Sequence, residues 1–370
     1  MQHRIGSCGC SRRTVALLAI AMAPIVILAS SCGTGPQASG ASPTAPTTGG
    51  APSAPTPPPV PTTPGPPQVS TPVNGAGVAS PFQLSVTVPG QFNYMDVIAD
   101  GTPIFHTSYP TIQNKWIFLP IGQHNLVFQT YDTNNQPLYQ SSMQVNVTSE
   151  TPNASITQIQ TLSQFQSCTA HLFGAPCASG QGDAVFAMTQ NQSNPSLSGN
   201  STRFDLSGPV GYSNALWWNQ LGGGTLLNHF TLALDFYISN GDVAEALEFD
   251  VNQSLNGTRY TYGTECSVLD TKQWNTWNAP TMSWVPTGIP CPPFASNTWH
   301  HLEWQFERLN GQVHYISVTV DGVTTPVNRF ADPQPGYPYQ GFDVAFQIDG
   351  NYIQTPYSVW VDNWTLTASY

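Results

Sequence analysis

Apolar and polar residues alternate along much of this chain. In Ala246-Leu247-Glu248-Phe249-Asp250-Val251-Asn252, an extended backbone puts Leu247, Phe249 and Val251 on one side and Glu248, Asp250 and Asn252 on the other. The same period marks Phe230–Ile238, Trp299–Arg308, Val313–Val320, Phe342–Ile348 and Ser358–Thr367, with turn signals at Asn310-Gly311, Asp321-Gly322 and Asp349-Gly350. No stretch sustains a helical period. Residues 149–370 therefore read as one all-β domain, a two-sheet jelly roll. Residues 68–148 repeat the pattern on a smaller scale. Phe82–Val88 and Asn125–Tyr131 alternate between turn signals at Pro89-Gly90, Asp100-Gly101 and Asp132-Thr133-Asn134-Asn135, which predicts a small β-sandwich.

The N-terminus departs from this pattern. Arg4, Arg12 and Arg13 precede an apolar run from Val15 to Leu28, too short to span a bilayer comfortably and suited to a signal peptide over residues 1–31. Leu28-Ala29-Ser30-Ser31-Cys32 resembles a bacterial lipobox, which implies cleavage before Cys32 and acylation of its thiol; Ala29 stands where a leucine is usual. Residues 32–67 are dominated by Pro, Thr, Ala, Ser and Gly, carry no charge, and cannot bury a core, so they read as an extended tether. An exported, lipid-anchored protein of the cell envelope follows, facing periplasm or cell surface.

Cysteines and charge narrow the picture further. With Cys8 and Cys10 in the signal and Cys32 acylated, Cys168, Cys177, Cys266 and Cys291 remain, an even set in an exported chain. Proximity favours Cys168–Cys177 and Cys266–Cys291. The chain beyond residue 31 keeps six of nine basic residues and all twenty acidic ones, a formal charge of −14. Such a surface excludes electrostatic binding of nucleic acid or anionic lipid, leaving the acyl anchor as its membrane contact. Abundant Asn, Gln, Ser, Thr, Trp and Tyr suit a neutral polysaccharide partner.

Several strands place oxygen-bearing side chains away from the core. His301, Glu303, Gln305 and Glu307 share one side of their strand, Asp343 and Gln347 another, and Thr231, Asp235 and Tyr237 a third. Glu248-Phe249-Asp250 on a jelly-roll strand resembles the concanavalin-A-like lectin/glucanase superfamily, whose laminarinase-type members carry E-x-D-x-E or E-x-D-x-x-E on the concave sheet. The resemblance implies Glu248 as nucleophile and Asp250 as assisting carboxylate. The acid/base position falls on Asn252 or Gln253, neither of which is a carboxylic acid. Retaining chemistry needs two carboxyls about 5–5.5 Å apart, so a second would come from Glu303 or Glu265. Lectins of this superfamily use the same Glu-x-Asp to hold a metal pair. Asp250 and Asn252 suit calcium, but Ser254 to Glu265 lacks the Asp and His that would complete the site, so no cofactor is expected. Asp96–Gly101 and Gly122-Gln123-His124-Asn125-Leu126 resemble bacterial immunoglobulin-like modules, with His124 structural and residues 68–148 a spacer.

Between Cys266 and Cys291 lie Trp274, Trp277 and Trp284, read as a stapled loop or hairpin offering rings to sugar faces. His300 and His301 are adjacent in a strand, point to opposite faces, and so form no metal clamp. Gly222-Gly223-Gly224 reads as a flexible loop. No phosphate-cradling glycine loop, HExxH or G-x-S-x-G is present. The leading expectation is a carbohydrate-binding lipoprotein using Glu248, Asp250, Asn252, Trp274, Trp277, His301 and Gln305. The alternatives are a glycoside hydrolase built on Glu248, Asp250 and Glu303 or Glu265, and a structural adhesin with no sugar site.

Overall fold

The computed structural model describes residues 65–169 and 184–370. The chain is all-β. Its first part forms β1 (Gln68–Thr71), β2 (Ala76–Ser80), β3 (Phe82–Thr87), β4 (Tyr94–Ala99), β5 (Thr102–Thr107), β6 (Thr111–Phe118), β7 (Gly122–Tyr131) and β8 (Pro137–Glu150). There follow β9 (Asn153–Ile156), β10 (Gln166–Thr169), β11 (Val185–Gln192), β12 (Ser201–Ser207), β13 (Asn214–Gly224), β14 (His229–Ile238), β15 (Ala244–Leu255) and β16 (Thr258–Ser267). The last are β17 (Gln273–Asn278), β18 (Ser283–Pro290), β19 (Trp299–Leu309), β20 (Gln312–Val320), β21 (Val323–Ala331), β22 (Gln334–Pro335), β23 (Gly341–Gly350) and β24 (Tyr357–Ser369).

These strands form three sheets among the described residues. A front sheet runs β1-β3-β6-β13-β23-β15-β16-β17-β18, a back sheet runs β11-β12-β24-β14-β19-β20-β21, and a small sheet runs β2-β8-β7-β4-β5. The large core lies between front and back sheets. Trp217, Phe249, Trp274 and Phe346 from the front meet Phe204, Phe236, Trp304 and Trp364 from the back. Each such side chain contributes about 1.5–3 kcal/mol on burial. A second core joins Leu84, Val86, Ile112 and Ile117 to Met95, Val97, Leu126 and Phe128 across the small sheet. Inward residues at every second position of β14, β15, β19 and β23 set both the strand registers and the outward faces.

The front sheet passes directly from the N-terminal sandwich into the large one. Strand β6 pairs in parallel with the end of β13, Trp116 with Gly222, Ile117 with Gly223 and Phe118 with Gly224. Gly222-Gly223-Gly224 is thus strand rather than flexible loop. A Cβ at Gly223 would stand 1.7 Å from the Ile104 carbonyl oxygen, and one at Gly222 1.9 Å from that of Trp116. Only glycine lets the backbones approach this closely. Buried Lys115 crosses the same seam, donating to Asn219 Oδ1 at 3.1 Å and to the Gln220 carbonyl.

Two turn signals form hairpins. Asn310-Gly311 joins β19 to β20 and Asp321-Gly322 joins β20 to β21, with positive φ at all four residues. Asp349-Gly350 differs: it ends β23 in the front sheet, and the chain crosses to β24 in the back sheet. The segment read as a stapled loop or hairpin is the β17–β18 hairpin, extending the front sheet by two strands. Cys266–Cys291 is a disulfide, tying β16 to the residue after β18 across 25 positions, a closure that stabilises by about 3.5 kcal/mol. Cys177 of the expected Cys168–Cys177 pair lies outside the described residues, as do Cys32, the expected signal peptide and the expected tether as far as residue 64. His124 is structural, meeting Asp100 Oδ2 at 2.6 Å and the Pro120 carbonyl at 2.7 Å.

A candidate glycan trough on the front sheet

With Leu247, Phe249 and Val251 in the core, Glu248, Asp250 and Asn252 fall on the outer face of β15, and strand register fixes their neighbours. Trp218 of β13 pairs with Ala345, Ala345 with Asp250, and Asp250 with Gly263 of β16. Trp277 of β17 follows, its Cβ 2.9 Å from where a Cβ of Gly263 would stand, and it pairs with Trp284 of β18. One row across the sheet therefore has tryptophans at its ends, alanine and glycine between them, and one carboxyl on the floor. Trp277 and Trp284 meet edge-to-face at 5.0 Å, and all three indoles are half-buried. This aromatic-ended row, with Trp277 packed against Gly263, is the candidate trough.

The rows on either side are polar. On one side Asn252 Nδ2 donates to Asp343 Oδ1 at 3.0 Å, and the Arg259 guanidinium lies 3.8 Å from the same oxygen. Arg259 Nη1 donates to the Tyr337 hydroxyl at 2.8 Å, its guanidinium over the Tyr337 ring. On the other side Gln347, Glu248, Glu265 and Asn275 stand in register. Gln347 Nε2 donates to Glu248 Oε1 at 2.5 Å and to Asp349 Oδ1 at 2.9 Å, and Asn275 Nδ2 donates to Glu265 Oε2 at 2.5 Å. This second row is buried, so the carboxyls of the face that keep some exposure are Asp250 and the Asn252-bonded Asp343.

Burial first, then Asp343, pushes the Asp250 carboxyl up to about 7, against the Thr264 N–H that it accepts at 3.1 Å and the Arg259 charge. Glu265 is likewise raised to about 7, chiefly by burial and further by Glu245 and Asp270, with the Asn275 bond opposing. Burial lifts Glu248, with Asp349 the strongest neighbouring charge, and it lifts Asp349 in turn. The raised Asp250 carboxyl favours its protonated form, which would donate as well as accept. Among the described residues no three Asp, Glu, His or Cys side chains converge as metal ligands.

The sequence-predicted residues separate into three places. Glu248, Asp250, Asn252 and Trp277 share the front-sheet face. Trp274 does not: it is 1% exposed and packs on Phe249 and Trp304, so it cannot stack on a ligand. Glu303, His301 and Gln305 lie on β19, on the outer face of the back sheet, where His301 meets Asp235 at 2.8 Å and Gln305 donates to Glu303. The two sheets and the core separate Glu303 from Glu248, so Glu303 cannot be its catalytic partner. Glu265 stands directly opposite Glu248 in register. Gln253 points inward, donating to the Leu227 carbonyl and accepting from Arg308. His300 is held by Asp321 and the Ala295 carbonyl, on the face opposite His301. Trp218, Gly263, Arg259 and Tyr337 were missed. The Trp217-Trp218 pair was the available signal, since adjacent strand residues point opposite ways and one ring had to face out.

No family model matches the chain, and no curated protein matches it. Among solved structures it is similar to a carbohydrate-binding module of the β-sandwich superfamily, at 12% identity over 81% of this chain and 97% of that one, TM-score 0.30. It is also similar to an endo-β-1,4-glucuronan lyase from the fungus Trichoderma reesei, at 10% identity over 56% and 95%, TM-score 0.35. A third is the family 11 carbohydrate-binding module from Clostridium thermocellum, at 12% identity over 58% and 94%, TM-score 0.29. Likeness at this level gives no residue a role.

Proposed function

We propose that this chain binds a neutral glycan in the trough between Trp218 and the Trp277–Trp284 pair. The observation that carries the reading is the row itself: half-exposed indoles at both ends, the small residues Ala345 and Gly263 between them, and Asp250 at its centre. Indole faces take the CH groups of a sugar ring, while Asp250 and Arg259 offer hydrogen bonds to its hydroxyls; Asn252, 3% exposed, holds Asp343 in place. A structural adhesin would need no half-exposed indoles at the ends of such a row, although the buried Glu248 row, bonded to its own scaffold, is what that reading expects. Affinity electrophoresis in soluble mixed-linkage β-glucan, xylan and galactan tests the proposal. One polymer should retard the protein, and Trp277→Ala or Trp218→Ala should weaken it about tenfold, or about 1.4 kcal/mol. Retardation by none of them, or unchanged by both substitutions, would end it.

A second reading, glycoside hydrolysis, rests on the register pairing of Glu248 with Glu265 and the raised Glu265 carboxyl, an arrangement suited to one protonated acid beside one base. Its mark is reducing-end release from the retained polymer, lost in Glu265→Gln while retardation persists. From the sequence we further propose export and acylation at Cys32. Lipid label should enter the wild-type chain and not Cys32→Ala, which should leave the membrane fraction; label in both would refute it.

A further inference from the structure

The trough does not end at Arg259. The Tyr337 ring beneath that guanidinium lies 5.3 Å from Tyr339, and Tyr339 lies 4.5 Å from His106 of β5, across the seam in the N-terminal sandwich. His106 lies 4.8 Å from Tyr94 of β4, which stacks on Tyr131 of β7 at 4.6 Å. Each ring is half-buried, with part of its surface open. Tyr94, His106 and Tyr131 stand on the outer face of the small sheet, because Met95, Val97 and Phe128 fill its core face. Asp96 holds His106 Nδ1 at 2.7 Å and fixes its ring.

We propose that the N-terminal sandwich is part of the binding site, and that these rings extend the trough into a track for a long polysaccharide chain. The inference rests on the glycan reading of the trough. Three features specify the occupant. Every ring in the line carries a polar atom and no aliphatic side chain interrupts them, which suits a hydroxylated ligand better than an apolar protein face. The charges beside the line are Asp96, Asp343 and the already engaged Arg259, which disfavours a polyanion. The line is continuous with the trough through the Arg259–Tyr337 contact. A ligand confined to the trough would gain nothing from Tyr131, whereas a chain crossing the seam would reach it.

The test uses the full chain and the polymer that retards it. Calorimetry compares that polymer's disaccharide with a long oligosaccharide. Tyr131→Ala should weaken the long ligand about tenfold and leave the disaccharide unchanged, with Tyr131→Phe like wild type. Tyr131→Thr, which keeps a strand-favouring residue, guards against loss of fold and should behave as Tyr131→Ala. If both substitutions keep the melting temperature and bind both lengths as wild type does, the rings only cement the seam and the proposal is wrong. If Trp277→Ala abolishes binding while Tyr131 variants do nothing, the extension falls and the trough stands. If no polymer retards the wild type, both fall together.

Discussion

Gly223→Ala is expected to lower the melting temperature by about 10 °C or more and to open the seam between the two sandwiches. The added Cβ would lie 1.7 Å from the Ile104 carbonyl oxygen and 3.3 Å from the Phe105 Cβ. The first contact is with the backbone of β5, so no rotamer change relieves it, and β13 must move off β5, straining its ladder with β6. Overpacking alone costs about 1–3 kcal/mol, and loss of the parallel ladder leaves buried amides unpaired at about 1–3 kcal/mol each. For a domain of this size each kcal/mol moves the midpoint by about 2–4 °C. Gly257→Ala is the control: it has φ +76° with open space around it, and should cost only about 1 kcal/mol. Calorimetry with limited proteolysis between residues 118 and 222 reads both effects. A Gly223→Ala midpoint within about 2 °C of wild type would show that the close approach is not needed.

Stability should fall as pH rises from 5 to 8, the reverse of a protein held by ion-paired carboxylates. Asp250 and Glu265 are raised to about 7, and Glu248, Asp349, Glu245 and Asp343 are raised as well. In the unfolded chain such groups ionise near pH 4. Between about pH 4 and 7 the folded protein therefore holds more protons than the unfolded one, and linkage makes each of these protons stabilising. For Asp250 and Glu265 the contribution is complete below the unfolded values and is lost as pH climbs through about 7; the other four act in the same direction. Asp100, Asp321 and Asp362 shift the other way, held down by hydrogen bonds they accept, so their contribution fades only in stronger acid. Lys115, lowered to about 8 by burial, begins to favour folding only above pH 8. We expect a net loss on the order of 2–4 kcal/mol between pH 5 and pH 8, seen as a midpoint about 5–10 °C lower. Glu265→Gln should flatten that slope. A midpoint that rises across this window would show that the cluster is ionised at no cost.

The fold was legible where one face of a strand is packed and the other is not. Leu247, Phe249 and Val251 against Glu248, Asp250 and Asn252 announced β15, and Leu302, Trp304 and Phe306 announced β19. The seam was not legible, because Gly222-Gly223-Gly224 has no side chains to alternate and its meaning lies in a partner more than a hundred residues earlier in the chain. Strand phase also showed which residues point outward without showing from which sheet. His301, Gln305 and Glu303 share a phase argument with Glu248 yet occupy the opposite surface of the sandwich. Trp274 and Trp277 are three apart in one strand, so only one of them could face a ligand, and the buried one fills the core beside Trp304.

The parallel joint between β6 and β13 also bears on how such a chain is inherited. Modules that recombine freely meet at a short linker, and either half can be lost without harming the other. Here a crossover that removed the first sandwich would leave the Gly222–Gly224 end of β13 as a bare edge, with unpaired amides and no side chains to shield them, a ready template for pairing with another chain. The two sandwiches are therefore expected to travel through descent as one unit, gained, duplicated or lost together.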